Sequence, residues 1–541
     1  MKDISSTGSF VDFTLENFIY VDKTVYIPQL VKLKRVFISR PRRFGKSLTL
    51  DTIATLFETG VEPYFKGTWI YDKWTEPTYP VLRLNFLNFD KNSLDKFNNK
   101  LNSKITEFAE LNHVTTFKEK EEAEDSIDHL LEQLRLENRQ IVILIDEYDC
   151  QMTANINNET LYKQFQEKIK SFYANIKDKF AIKFLGITGV TRLKDVAIFS
   201  VGSDINDITN DSAYSQMIGF TRDEIKKYYI DYLTLAASYE NKCRVEEVTD
   251  TQIESMLDMM AQNYDGYCFD EFYKKKVFST WSVNSFFQSI IENKFVYFDE
   301  YWYDNGGLPS ILVNYLKTHE LNIFEYLDKD KFLKVSSDDF KNPTALTTIN
   351  QNVLMCQTGY LTLRSDLNKT STVALGIPNG EIYKALNRLL ANNIFKGNTD
   401  ITDDYGRSLL EVGTVDDIIN LFNSALNSVS YDNYPIVSES SVQNMLKLYL
   451  LGAHQEVLSE VHEAKGRADL VVNTDNRRIV FEFKYAKNEA EAKSKLSEAV
   501  EQIKTRDYGN ILPKKNELIR IAAVFNADPK VRAFTENQIV P

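Results

Sequence analysis

Residues 36–48 read VFISRPRRFGKSL, a short apolar run, a loop, and then Gly45-Lys46-Ser47 opening a helical pattern. Few arrangements constrain a fold more. A nucleotide polyphosphate needs backbone N–H groups at a helix N-terminus, a Lys ammonium for the β/γ oxygens, and a hydroxyl for Mg²⁺. Gly45, Lys46 and Ser47 supply those groups in that order, inside a loop that also contains Arg42, Arg43 and Phe44. The full pattern wants a glycine five positions before Gly45, and Arg40 stands there instead. About a hundred residues on, IVILIDEYD (141–149) is five β-branched or Leu residues followed by Asp146 and Glu147. Such a run belongs in the buried middle of a sheet. A carboxylate at its C-terminal edge suits Mg²⁺, and the adjacent Glu147 suits polarisation of an attacking water. The alternative is an acidic loop that merely caps a core strand.

The same alternation continues through the first ~220 residues. Val36–Ile38, Val81–Phe86, Ile141–Ile145 and Ile182–Thr188 read as strands, and Ser47–Thr59 as the helix after the first. Strands separated by helical patterns indicate an α/β domain with a parallel sheet. Thr188 ends its strand either as a sensor of the γ-phosphate or as ordinary strand closure. Arg42 and Arg43 would contact phosphate, contact a neighbouring domain, or stand solvated, and Arg192 is a further candidate for reading nucleotide charge. From Thr221 the chain turns helical, with a Thr N-cap and an acidic first turn. The segment 350–377 reads as a helix followed by a short hairpin, the order of a winged-helix module.

The last ~105 residues form another α/β pattern: a helix (442–451), strands at 468–472 and 478–485, a helix at 489–506, and a strand at 518–525. Here GRADLVV (466–472) and IVFEFKY (479–485) form a hairpin that can bring Asp469 beside Glu482. Period-2 alternation puts Glu482 and Lys484 on one face, with Phe481, Phe483 and Tyr485 toward the core. Two carboxylates and a lysine on one face are what metal-assisted phosphodiester hydrolysis needs, with Asp469 and Glu482 holding Mg²⁺ and Lys484 acting on the phosphate. An amphipathic hairpin with a solvated charged face gives the same spacing. Glu439 and Glu460 are candidate further ligands, and Gln502 a candidate for orienting a ligand or a substrate phosphate.

Composition narrows the classes. The 541 residues carry a net charge of −13, which argues against coating nucleic acid by bulk electrostatics. Residues 436–541 hold sixteen Lys/Arg and fifteen Asp/Glu, so the acidity lies elsewhere in the chain. The four cysteines are far apart without a CxxC pair, and the five histidines form no ligand pair, against a disulfide scaffold or a zinc module. With no secretory leader and no run near the ~18–20 apolar residues of a membrane span, the expectation is a cytoplasmic protein with no membrane partner.

Taken together, these motifs resemble the bacterial AAA-ATPase-like proteins with a C-terminal PD-(D/E)XK nuclease-superfamily domain. The resemblance rests on YVDKT (20–24), RPRRFGKSL (40–48), YPVLRLNF (79–86), LIDEYD (144–149), GITGVTRL (186–193), and NDITND (206–211) with GFT (219–221). It continues through YDGYCF (264–269), WSVNSF (281–286), QTGYLT (357–362), IPNGE (377–381), GRADL (466–470), FEFK (481–484) and EQIKTRDY (501–508). That family lacks the first P-loop glycine in the same way. The resemblance implies an α/β multidomain fold: a P-loop ATPase core on a parallel sheet (1–220), a helical lid (221–345), a winged-helix-like connector (346–435), and a restriction-endonuclease-like α/β domain (436–541). It assigns nucleotide roles to Gly45, Lys46, Ser47, Asp146 and Glu147, and nuclease roles to Asp469, Glu482 and Lys484. ATP and Mg²⁺ are the expected cofactors and nucleic acid the expected partner, with homo-oligomerisation left open. The expected function is an ATP-regulated nuclease; the alternative is a nucleotide-switched signalling or scaffold ATPase whose C-terminal domain binds without cutting.

Overall fold

The apolar runs of the N-terminal third become five strands: β1 (Arg35–Ser39), β2 (Val81–Asn85), β3 (Ile141–Asp146), β4 (Ile182–Gly189) and β5 (Asn206–Asp207). They form one parallel sheet in the order β2-β3-β4-β1-β5. All six residues of β3 are buried, as its unbroken apolar run requires. The structure is a computed structural model. It describes residues 1–177, 179–193, 204–302, 310–316, 319, 323–343, 345–395, 405–453, 455–463, 466–510 and 514–541. Two compact units are present, Met1–His319 with Phe332–Ile382, and Glu320–Lys331 with Tyr383–Pro541. Among the described residues, no helix is long and apolar enough to cross a membrane.

The strand order decides where chemistry gathers in the first unit. β4 lies between β1 and β3, with Ile38 opposite Thr188 and Ile145 opposite Ile187. The C-terminal ends of the three strands therefore lie side by side, the usual location of a ligand in an open parallel sheet. The helix Lys46–Thr59 leaves β1 through Gly45, whose φ of 98° is a left-handed conformation that glycine adopts without strain. Arg40, at the position of the absent glycine, is a buried side chain that donates to the Thr209 carbonyl at 2.6 Å.

The helical region begins as the sequence indicated. Thr221 Oγ1 accepts from the Glu224 N–H at 3.2 Å, and Glu224 Oε2 accepts from the Thr221 N–H at 2.8 Å, a reciprocal cap. Two helices follow, Arg222–Tyr228 and Ile230–Asn241. Tyr229, Tyr232, Tyr264, Phe286 and Phe287 fill their core, with Tyr229 stacked on Phe287 at 5.2 Å. The expected helix and hairpin are Gln351–Thr358, β7 (Thr362–Leu363) and β8 (Thr372–Gly376). A further strand, β6 (Leu333–Ser336), completes an antiparallel sheet in the order β6-β8-β7.

The second unit holds five strands: β9 (Glu456–Glu463), β10 (Gly466–Asn473), β11 (Arg477–Ala486), β12 (Glu517–Asn526) and β13 (Ala533–Ile539), in the order β13-β12-β11-β10-β9. Only β11 and β12 run parallel, because the helix Glu489–Arg506 connects them by a crossover. β11 is the central strand and is covered on both faces. Phe483 packs with Phe534 and stacks on Phe481, and Phe422 meets Phe481 from the helix Val415–Asn427. Val480 packs with Ala499 and Ile503 on the other side.

Candidate functional site

In the first unit the strand ends bring three distant segments onto one carboxylate. Asp146 Oδ2 accepts from Ser47 Oγ at 2.6 Å, and its Oδ1 accepts from Thr188 Oγ1 at 2.5 Å. Lys46 Nζ folds back onto the carbonyls of Arg40 and Pro41, each at 3.1 Å, and lies 3.7 Å from Glu147 Oε1. Glu147 has a φ of 54°, a conformation that is uncommon outside glycine and that repays attention at functional sites. Burial holds its carboxyl above the usual range against the pull of Lys46, with the charges of Asp149 and Asp146 adding to the rise. A hydroxyl and a carboxylate at 2.6 Å, with a lysine and a second carboxylate beside them, are a donor set that fits a hydrated Mg²⁺ and a phosphate chain.

These groups open onto a cavity of about 480 Å³ lined by Arg42, Arg43, the Gly45–Ser47 turn and Glu147, and walled by apolar residues including Phe13 and Ile19. That volume lies within the range of small-ligand pockets. The other loop residues are engaged differently from one another. The Arg43 guanidinium lies 4.0 Å over the Trp281 ring, and its carbonyl accepts from Thr280 Oγ1 at 3.0 Å. The Phe44 ring is buried edge-on against Tyr267 and Phe269, so its side chain is a packing group. The Arg42 carbonyl accepts from Trp302 Nε1 at 3.2 Å. Arg192 is ion-paired with Asp207. Asp149 has a role that its place in the motif does not reveal. Its carboxylate accepts from the Thr191 N–H at 2.6 Å and from Thr191 Oγ1 at 2.5 Å, fastening the end of β3 to the loop after β4.

In the second unit, Asp469 stands one step beyond the last paired residues, Leu470 and Phe481, in register with Glu482. Its Oδ2 accepts from the Phe483 N–H at 2.8 Å. Lys484 Nζ donates to Glu482 Oε1 at 2.9 Å and to Glu439 Oε1 at 3.3 Å. Asp469, Glu482 and Lys484 thus converge. The alternation expected for this strand holds, but the charged face is not the solvated one of an ordinary amphipathic hairpin: Glu482 is 0% and Lys484 5% exposed. A strand in the middle of a sheet, covered on both sides, leaves neither face to water. Glu482 Oε2 is buried with no hydrogen-bond partner, costly for a carboxylate unless something else satisfies it. Two carboxylates around that orphaned oxygen fit a divalent cation. Among the described residues there is no group of three or more His, Cys, Asp and Glu with metal-site geometry, and the side chain of Glu460 lies outside the described residues.

Gln502 does not reach the carboxylates. Its Nε2 lies 3.5 Å from the Tyr508 hydroxyl, to which Arg506 Nη1 also donates at 2.7 Å. Gly466 makes room for this group: a Cβ there would lie 2.5 Å from Arg506 Cδ and 3.2 Å from the Tyr508 hydroxyl. Arg506 and Gln443, whose Nε2 donates to the Asp469 carbonyl, are neighbours that spacing along the chain did not reveal.

Burial, followed by the charge of Asp469, pushes the Glu482 carboxyl up to about 7, with Lys484 pulling the other way. Burial lowers the Lys484 ammonium, but Glu482, Glu439 and Asp469 together raise it above its usual range. A carboxyl raised on folding holds its proton longer in the native state. Its contribution to stability is therefore full below pH ~4.5 and lost as the pH rises to about 7. Glu482→Gln, which imitates the protonated form, is expected to remove that segment of the pH dependence, worth at most about 3 kcal/mol. Urea unfolding of wild type and variant between pH 4.5 and 8 measures it, and parallel curves would refute the assignment.

Comparisons with known proteins match two separate parts of the chain. The sequence model of a predicted AAA-ATPase family matches residues 5–199. That of the PD-(D/E)XK nuclease superfamily matches residues 437–535. An uncharacterized protein in the vnfD 5' region of Azotobacter chroococcum mcd 1 is 25% identical over 530 residues, covering 95% of this chain and 94% of that protein. Among solved structures, Cdc6p from Pyrobaculum aerophilum aligns over 68% of this chain and 91% of its own, at 10% identity and a TM-score of 0.21. The chain joins an AAA-ATPase-like domain to a PD-(D/E)XK nuclease superfamily domain.

Proposed function

We propose that this protein binds and hydrolyses ATP at the Lys46–Ser47–Asp146–Glu147 site and uses that site to regulate a Mg²⁺-dependent nuclease built on Asp469, Glu482 and Lys484. The observation that carries the nuclease half is the buried, unpartnered oxygen of Glu482 beside Asp469 and Lys484. A fold gains nothing from a stranded carboxylate, whereas metal-assisted phosphodiester cleavage uses one. The ATPase half is supported by the convergence of Ser47 and Thr188 on Asp146.

The roles of the residues follow from their chemistry. Lys46, which now donates to two carbonyls of its own loop, would turn its ammonium to the β/γ oxygens, with the backbone N–H groups after Gly45 facing the same anion. Glu147, a carboxylate of raised proton affinity, would take the proton of the attacking water. Thr188, tied to Asp146, would report the γ-phosphate. Lys484 would place its charge on the scissile phosphate. Ser47 and Asp146 would hold Mg²⁺ in one domain, and Asp469 and Glu482 would hold it in the other, where the ion would supply charge to phosphate oxygens and lower the pKa of bound water.

Cleavage of labelled single- and double-stranded DNA and RNA with Mg²⁺ or Mn²⁺, with and without ATP, tests this reading. We expect cutting that changes with nucleotide in the wild type and becomes insensitive to it in Lys46→Ala. Wild-type protein inactive on every substrate under every nucleotide condition would favour a nucleotide-switched scaffold instead. Glu147→Gln is expected to keep nucleotide affinity while slowing hydrolysis by about 10²–10⁴, the usual worth of a positioned base. Phosphate release near the wild-type rate would make Glu147 structural.

A further inference from the structure

Arg40 carries a buried charge with half of its hydrogen-bonding edge unanswered. The side chain is 1% exposed. Its Nη1 donates to the carbonyls of Ser39 at 2.9 Å and Thr209 at 2.6 Å, and the Phe269 ring covers its face at 4.1 Å. The remaining nitrogens, Nε and Nη2, are buried with no hydrogen-bond partner among the described residues. In a guanidinium these two form one side, a pair of parallel N–H groups of fixed spacing, and that fork is the edge that recognises anions.

Arg40 lines a cavity of about 40 Å³ with Arg192, Thr209, Asn210, Gln357, Cys268 and Cys356. The space admits a few waters or one small ion and excludes a nucleotide. Among the described residues, its wall carries one net positive charge. Arg192 is paired with Asp207, and the remaining polar lining is neutral. Burial pushes the Cys268 thiol up to about 11 and the Cys356 thiol up to about 12, so both stay protonated. Burial lowers the Arg40 guanidinium to about 9, against the supporting charge of Asp207, so it remains a cation at neutral pH. Asp207 is already ion-paired with Arg192, so its charge does not fully answer Arg40, and a buried cation with an open edge is unstable unless an anion or ordered water meets it. Water would accept from both N–H groups but would leave the charge unbalanced.

We propose that the Nε/Nη2 edge of Arg40 binds one small monovalent anion, chloride by size, in this cavity. The ion would brace the P-loop at the position where its first glycine is missing. The Arg40 carbonyl accepts from Lys46 Nζ at 3.1 Å, so the anion and the Lys46 ammonium meet on one residue. The proposal does not depend on whether the protein hydrolyses ATP.

The test compares the full-length protein in sodium chloride, sodium bromide and sodium gluconate at matched ionic strength. Raising chloride or bromide from 1 to 100 mM should lift the melting temperature by about 3 °C, with no such rise in gluconate or in Arg40→Gln. Crystals grown with bromide should show an anomalous peak at the Arg40 edge. If Arg40→Gln fails to fold, the wild-type salt comparison and the bromide peak still decide. Equal melting in all three salts, or water at that edge without anomalous signal, overturns the proposal.

Discussion

Lys46→Ala is expected to weaken nucleotide binding by about two to four orders of magnitude, because the ammonium makes charge-assisted contacts worth roughly 1.5–3 kcal/mol each. The structure sharpens the expectation. Lys46 is 5% exposed, and its Nζ is already fixed near the loop by the carbonyls of Arg40 and Pro41 and by Glu147. Ordering that side chain therefore adds little entropic cost when phosphate arrives. Removing it leaves Glu147 buried without its cation, so a second effect follows: the Glu147 carboxyl should rise further. Titration calorimetry with ATP and a non-hydrolysable analogue measures the affinity. Binding within a factor of three of wild type would remove the P-loop assignment, whatever the nuclease does.

Asp469→Ala and Glu482→Ala should each eliminate metal-dependent cleavage while leaving ATP turnover within a few-fold of wild type, since the two sites lie in separate units. Each carboxylate contributes about one negative charge to a divalent cation, and without it the metal is weakly held and its water poorly activated. The two variants should differ in stability. Glu482→Ala removes a buried carboxyl with an orphaned oxygen but also strips Lys484 of its nearest partner at 2.9 Å, leaving a buried ammonium with Glu439 as its remaining acid. Lys484→Ala should keep metal affinity and lose turnover, because its ammonium acts on the phosphate. Metal titration by calorimetry alongside gel-based cleavage separates these cases. Cutting that survives both carboxylate variants would place the active centre elsewhere.

The residues that were legible in the sequence are those whose chemistry is local. The helix Glu489–Arg506 appeared at its expected ends because Asn488 caps it, accepting from the Glu491 N–H at 3.0 Å. The strand β3 announced itself as an apolar run. The strands β6, β9 and β13 did not. β6 alternates but is only four residues long, and β13, AFTENQI, is an edge strand with polar residues in between and no clear period of two. Strand β9 is the other edge of its sheet and mixes acidic and apolar residues in EVLSEVHE without strict alternation, a pattern that a helix face can also produce.

The sequence by itself determined the parts: a phosphate-binding turn at Gly45–Ser47, an acid pair ending a buried strand, and a D…ExK hairpin. These depend on backbone geometry and residue chemistry within short segments, which composition and spacing encode directly. Only the tertiary structure decided what those parts do to one another. Insertion of β4 between β1 and β3 sets Thr188 and Ser47 on the two oxygens of Asp146. The central place of β11 buries Glu482 and Lys484 instead of exposing them, and packing around Phe269 leaves one edge of Arg40 without a partner. Strand order and burial arise from contacts between segments far apart in the chain. They set the dielectric and the partners of each charge, and no local pattern carries that information.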